Sequence, residues 1–139
     1  MADIAIATGA AIRPVSGVAN GHEQYTHEAA EAITAGQVYR LDTNGKAVKA
    51  DSSVARVQLF MALNTVVAGQ GVVGLAKGLV DGFNLDARAF NDTIYLSNTA
   101  GNIADAAGTA SNPVARVISV PFSGTPGASD KLLRVTMPT

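Results

Sequence analysis

Glycine, proline and Asn-Gly punctuation interrupts this chain so often that short strands are the structure its sequence can best support. The clearest case is Asp42-Thr43-Asn44-Gly45, set between Val38-Tyr39-Arg40-Leu41 and Lys46-Ala47-Val48-Lys49-Ala50. Asn-Gly supplies the positive φ of a tight turn, and strand-forming runs on both sides make it a hairpin signal. Thr93-Ile94-Tyr95-Leu96-Ser97, the turn Asn98-Thr99-Ala100-Gly101 and Asn102-Ile103-Ala104 form a second unit of the same kind. Residues 114–120 and 131–137 read as strands on either side of a Gly/Pro/Ser loop. Residues 72–80 follow a Gly-rich turn, and Gly71, Gly74 and Gly78 oppose a helix there, so this stretch also reads as strand. The apolar run 54–63 reads as a buried strand, and helical turns are expected only around 28–31 or 85–90.

The two hairpin units resemble each other. Tyr39 and Tyr95 stand 56 residues apart, and Ala55-Arg56-Val57 precedes Ala115-Arg116-Val117 by 60. A long, weak repeat of this kind is what a pseudo-symmetric β-barrel built from two related units leaves in a sequence. The expected organisation is an extended N-terminal arm, residues 1–28, followed by one β-barrel domain, residues 29–139. The arm carries Gly9, Pro14, Gly17 and Gly21 with isolated apolar residues between them, so it cannot bury itself alone. An arm like this gains contacts by lying along another subunit.

A chain of 139 residues is the size of a single domain. It contains no cysteine, which removes disulfides, thiolate metal sites and Cys nucleophiles. The net charge is −1, and its ten basic residues form no run or stripe, so neither a nucleic-acid footprint nor a basic membrane-binding helix is present. No apolar stretch reaches the ~20 residues of a transmembrane helix. The N-terminus lacks the basic region of a signal peptide, so synthesis in a cytoplasm is expected. Only 15% of residues are charged, well below the ~25% of ordinary soluble domains. So bland a surface is expected to be covered by a partner or by further copies of the chain.

Patterns that suggest chemistry fail on context. Gly69-Gln70-Gly71-Val72-Val73-Gly74 fits G-x-G-x-x-G but runs on into a strand, where a dinucleotide site needs a helix. His22 and His27 are five apart, so on a helix they would be separated by about 500° and on a strand they would face opposite sides. Most carboxylates stand singly beside Gly, Asn or Ser, where they serve turns. Arg56 and Arg116 lie in apolar runs, as outward strand residues or as ion-pair partners at an interface. No catalytic residue, metal ligand or cofactor site is expected, and the chain does not read as an enzyme.

The stretch Glu31-Ala32-Ile33-Thr34-Ala35-Gly36-Gln37-Val38-Tyr39 with Asn44-Gly45-Lys46-Ala47-Val48-Lys49-Ala50-Asp51 resembles the opening of the small capsid decoration (cement) proteins of tailed bacteriophages. The resemblance continues through Ala62-Leu63-Asn64, Ala68-Gly69-Gln70-Gly71-Val72 and Gly78-Leu79-Val80. It resumes at Ile94 to Gly101 and at Val114-Ala115-Arg116-Val117, covering roughly residues 30–137. It implies a small β-barrel or β-tulip, homotrimers on the outside of an expanded virion head, and the major capsid protein as partner. It carries over no cofactor and no catalytic residue. Within the arm, Ile4, Ile6, Ile12, Arg13 and Val15 are expected to dock on coat protein or on a sister subunit. Deletion of residues 1–20 is accordingly expected to leave the barrel folded. The competing readings are a head-fibre base or tail component, and a β-barrel module for a glycan or small ligand, which would need a concave aromatic cluster.

Overall fold

The computed structural model describes residues 2–8, 11–14, 22–53, 57–119 and 131–138. The fold is all-β, and no helix occurs among the described residues. Ten strands follow in chain order: β1 (Arg13–Pro14), β2 (Glu23–Glu28), β3 (Val38–Leu41), β4 (Ala47–Lys49), β5 (Phe60–Ala62), β6 (Gly71–Asp81), β7 (Thr93–Leu96), β8 (Ile103–Ala104), β9 (Pro113–Ser119) and β10 (Lys131–Thr136). They form one antiparallel sheet in the order β4-β3-β5-β6-β10-β9-β7-β8, with β1 and β2 added on β6.

That order is a palindrome of the two sequence units. Replacing β3, β4, β5 and β6 by β7, β8, β9 and β10 turns one half of the sheet into the other. The seam between them is the antiparallel β6–β10 pair, with Val80 opposite Leu133 and Gly78 opposite Val135. The sheet curls into a half-barrel, the open form of a small all-β barrel. The turn after β7 reaches back to the other end: the Val38 N–H donates to the Gly101 carbonyl at 2.8 Å, and the Gly101 N–H donates to the Ala50 carbonyl at 2.7 Å. The Ser52 N–H bonds the Ser97 carbonyl at 2.9 Å nearby.

Apolar side chains fill two spaces. The barrel interior holds Val38, Met61, Leu75, Ile94, Leu96, Val117 and Leu133. A smaller core on the other face of the sheet holds Ile33, Tyr39, Phe60, Val66, Val72 and Ala76. The strand β5 sits between them, so Phe60, Met61 and Ala62 are all buried. Double burial explains why this part of the sequence reads as an unbroken apolar run rather than an alternating one. The strand occupies only three residues of the expected 54–63 stretch, of which 54–56 lie outside the described residues. Asn64 then extends the pairing with its side chain, accepting from the Val73 N–H at 2.8 Å and donating to the Gly71 carbonyl at 3.2 Å.

The long strand β6 changes face midway. Its register against β2 skips Ala76, and Gly78 has φ of 149°. A bulge of this kind shifts the inward parity by one. Leu75 and Val80 therefore both enter the barrel although five residues separate them.

Two expectations are corrected here. The segment 85–92 is not helical; successive turns are closed by Arg88 N–H to Leu85 and Asp92 N–H to Ala89, with Asn91 at φ 74°. Around residues 28–31, Ala29 pairs instead with Ala47 in an isolated bridge. The described residues before 29 are also not an arm standing apart from the barrel. All six residues of β2 pair with β6, and residues 2–7 lie back on the same chain. Ile4 donates to Ile103 at 2.8 Å, Ala7 to Gly82 at 2.7 Å, and Asp105 to the Ala2 carbonyl at 3.0 Å. Asp3 receives Ser97 Oγ at 2.5 Å and Asn102 Nδ2 at 2.8 Å.

Candidate functional site

The strand β2 is an edge. One side pairs with β6, and the other has no backbone partner among the described residues over 23–28. Every second residue of such a strand turns its N–H and C=O outward, leaving about three donors and three acceptors free for another chain. The strand is exposed along almost its whole length.

Its side chains alternate. Tyr25 and His27 lie over the smaller core and bring an aromatic group together. The Tyr25 ring meets Phe60 edge-on with centroids 5.7 Å apart, His27 sits 4.7 Å from Phe60, and Phe60 stacks on Tyr39 at 5.2 Å. Tyr39 and Phe60 are buried at 0% and 5% exposure, whereas Tyr25 stands 49% exposed. A hollow of ≈ 260 Å³ opens beside Tyr25, bordered by Glu23, Gln58, Lys77 and Met137. Gly74 on β6 makes the stack possible. An added Cβ there would lie 2.6 Å from Tyr39 Cζ and 2.8 Å from Phe60 Cβ.

His27 Nδ1 lies 2.9 Å from Tyr39 Oη. Burial pushes the Tyr39 hydroxyl well above its ordinary range, so the phenol keeps its proton. The imidazole tautomer decides which of the two groups supplies the hydrogen of this bond. Partial burial also lowers the His27 pKa below its ordinary 6.5. The folded protein thus takes up a proton there less readily than the unfolded chain. Stability is complete above the unfolded value and falls as pH drops below about 6.5 toward the lowered folded value. Thermal unfolding midpoints are expected to decrease between pH 7.5 and 5.5, with a flatter profile in His27→Gln. Identical profiles for the two proteins would refute this coupling.

The sequence-selected residues scatter. Ile12 is 7% exposed and belongs to the barrel core, so its expected docking role is corrected: the carrier chain itself covers it. Ile4 packs half-buried against the same core. Ile6 is 39% exposed and bridges to Phe83. Ile4, Ile6, Phe83 and Gln37 border a cleft of ≈ 340 Å³ under the N-terminal segment. The Arg13 backbone pairs with Asp81; the Arg13 side chain and Val15 lie outside the described residues. His22 faces Gln24 at 2.8 Å while His27 faces Tyr39, so the two imidazoles serve different partners. Carboxylates close turns: Asp42 accepts from Asn44 and Lys46, and those backbone bonds, Lys46 foremost, lower its pKa. Gly69, at φ 90°, turns the chain directly into β6.

Sequence reading missed the aromatic group because Tyr25, Tyr39 and Phe60 meet only through β2–β6 and β3–β5 pairing. The signal available was the alternation Tyr25-Thr26-His27-Glu28, which places both rings on one face of a strand. Compared with family models, with curated protein sequences and with solved structures, the chain matches none.

Proposed function

We propose that this chain is a non-catalytic structural protein that works by docking on other protein chains. In this reading it is a decoration protein on the outside of an expanded tailed-phage head, bridging major capsid protein subunits as a homotrimer. The observation that carries the proposal is the outer edge of β2, which has no backbone partner among the described residues, with half-exposed Tyr25 beside it. Natural sheets usually cover, shorten or bulge such an edge. An edge of six residues left open suits strand addition by a partner, with Tyr25 as the apolar anchor. The sparse charge of the chain supports the same reading. A trimer repeats the edge three times, so weak single contacts add through multivalency. Contacts made only with the mature lattice stabilise that lattice by linkage.

The ligand-binding alternative is weaker on size and on exposure. The hollow at Tyr25 is ≈ 260 Å³, under the roughly 300–1,000 Å³ of small-molecule sites. Tyr39 and Phe60 are covered by their neighbours, which leaves one ring face to offer.

The test is rebinding to purified particles stripped of this protein, quantified against coat protein by mass spectrometry. Wild-type protein is expected at a copy number comparable to coat protein. Tyr25→Lys is expected to keep its unfolding midpoint within a few degrees and to lose binding by roughly tenfold or more. A few copies per particle would point to a fibre or tail component, and no association would overturn the proposal.

A further inference from the structure

The outer face of the sheet holds two arginines set directly against each other. Register places Arg116 of β9 opposite Arg134 of β10 and also opposite Thr93 of β7. Side chains paired this way have Cβ atoms about 4.5–5.5 Å apart, and like charges so placed repel. Three other cations are neutralised: Lys46 by Glu28 at 2.8 Å, Lys49 by Glu31 at 3.8 Å, and Arg88 by Asp105 at 3.0 Å. Among the described residues, no carboxylate pairs with Arg116 or Arg134.

The pair is partly preorganised. Arg116 Nη1 donates to the Asn91 carbonyl at 2.8 Å. Asn91 holds a positive φ of 74°, the one such non-glycine residue described, and its N–H is tied to Val117 at 2.7 Å. A residue in an uncommon backbone conformation thus anchors one guanidinium and leaves most of its donors outward. The Arg134 side chain has no hydrogen-bond partner among the described residues. With Thr93, Thr136 and Pro113 the two arginines border a depression of ≈ 270 Å³. This depression continues the surface at Tyr25, because Thr136 is the register partner of Lys77, which borders the Tyr25 hollow.

We infer that Arg116 and Arg134 form a clamp for a carboxylate, filled by an acidic side chain of the protein that covers this face. The inference rests on the docking reading above and adds the chemistry of the partner. A planar carboxylate matches the guanidinium fork bidentately and removes the repulsion that the free protein carries. Nucleic acid fits poorly. Glu23 stands opposite Lys77 on the same face, the chain has a net charge of −1, and two arginines fall short of the 6–10 phosphate contacts of typical binders.

The experiment is amide chemical-shift mapping of the full chain, titrated separately with hexaglutamate, inorganic phosphate and a 20-base-pair duplex. Hexaglutamate is expected to shift Thr93, Arg116, Arg134 and Thr136, and Arg134→Gln is expected to weaken that binding about tenfold. The same variant is expected to unfold roughly 1–4 °C higher than wild type, because relieving the repulsion stabilises the free protein. A purely structural arginine would give the opposite sign. Absence of hexaglutamate shifts, or tighter response to phosphate or duplex, would overturn the clamp. In the particle assay Arg134→Gln is expected to bind at least tenfold more weakly than wild type. If wild type binds no particle, the docking reading fails, while the peptide titration still decides the clamp.

Discussion

Gly74→Ala is expected to lower the thermal unfolding midpoint by roughly 10 °C, a cost of about 3 kcal/mol. The added methyl would overlap the Tyr39 ring and the Phe60 Cβ. Neither ring has room to retreat, since both are buried between β2, β3 and β5. Tyr39 could move only by giving up its bond to His27. Gly71→Ala, three residues earlier on the same strand, is the control. A Cβ there meets only Thr26 Cγ2 at 3.4 Å, so the change is expected to be neutral or slightly stabilising through the lower entropy of the unfolded chain. Circular dichroism melts of the two variants check the contrast. Equal midpoints would show that the aromatic stack yields more easily than its packing implies.

Removing residues 1–12 is expected to cost about 4 kcal/mol. The deletion takes Ile12 out of the barrel core and leaves the carbonyls of Ile103 and Gly82 without their donors. It also removes the mutual bonds between Ala2 and Asp105, and with them one of the groups that lowers the Asp105 pKa. A sequence-level picture of a free arm has the barrel unaffected by this truncation. Urea titration separates the two outcomes, and an unchanged midpoint in the truncated protein would restore the free arm. Should the truncated chain fail to fold, Ile12→Ala supplies the same test, with an expected loss of about 2–4 kcal/mol.

Local chemistry made much of the fold legible. The Asn44-Gly45 turn and the turn ending at Gly101 each connect strands a few residues apart, so hairpins β3–β4 and β7–β8 follow from short-range signals. The weak repeat likewise has a counterpart in the palindromic strand order. Long-range partners were not legible. Ala2 meets Asp105, and Ser97 meets Asp3, across almost the whole chain. Nothing in the spacing of Ile4, Ile6 and Ile12 distinguishes a segment that folds back on its own barrel from one that reaches a neighbour. Residues 85–90 looked helical by composition, but the chain must turn to return as β7, and Asn91 breaks the backbone there. The aromatic group and the arginine pair both depend on register between distant strands, which sequence periodicity does not fix.

The N-terminal segment has a mechanical consequence. By chain order it belongs with the first half of the sheet, yet it is hydrogen-bonded to Ile103 and Asp105 in the second. The turn at Gly101 and the Leu59–Pro138 bond cross between the halves as well. Two related units joined only along β6–β10 would open like a hinge, each half failing at its own threshold. Strapped at several points, they must yield together, in one cooperative step. A pull applied at β2 is then carried by both repeats at once, and a small barrel behaves as a single rigid rivet rather than as two linked plates.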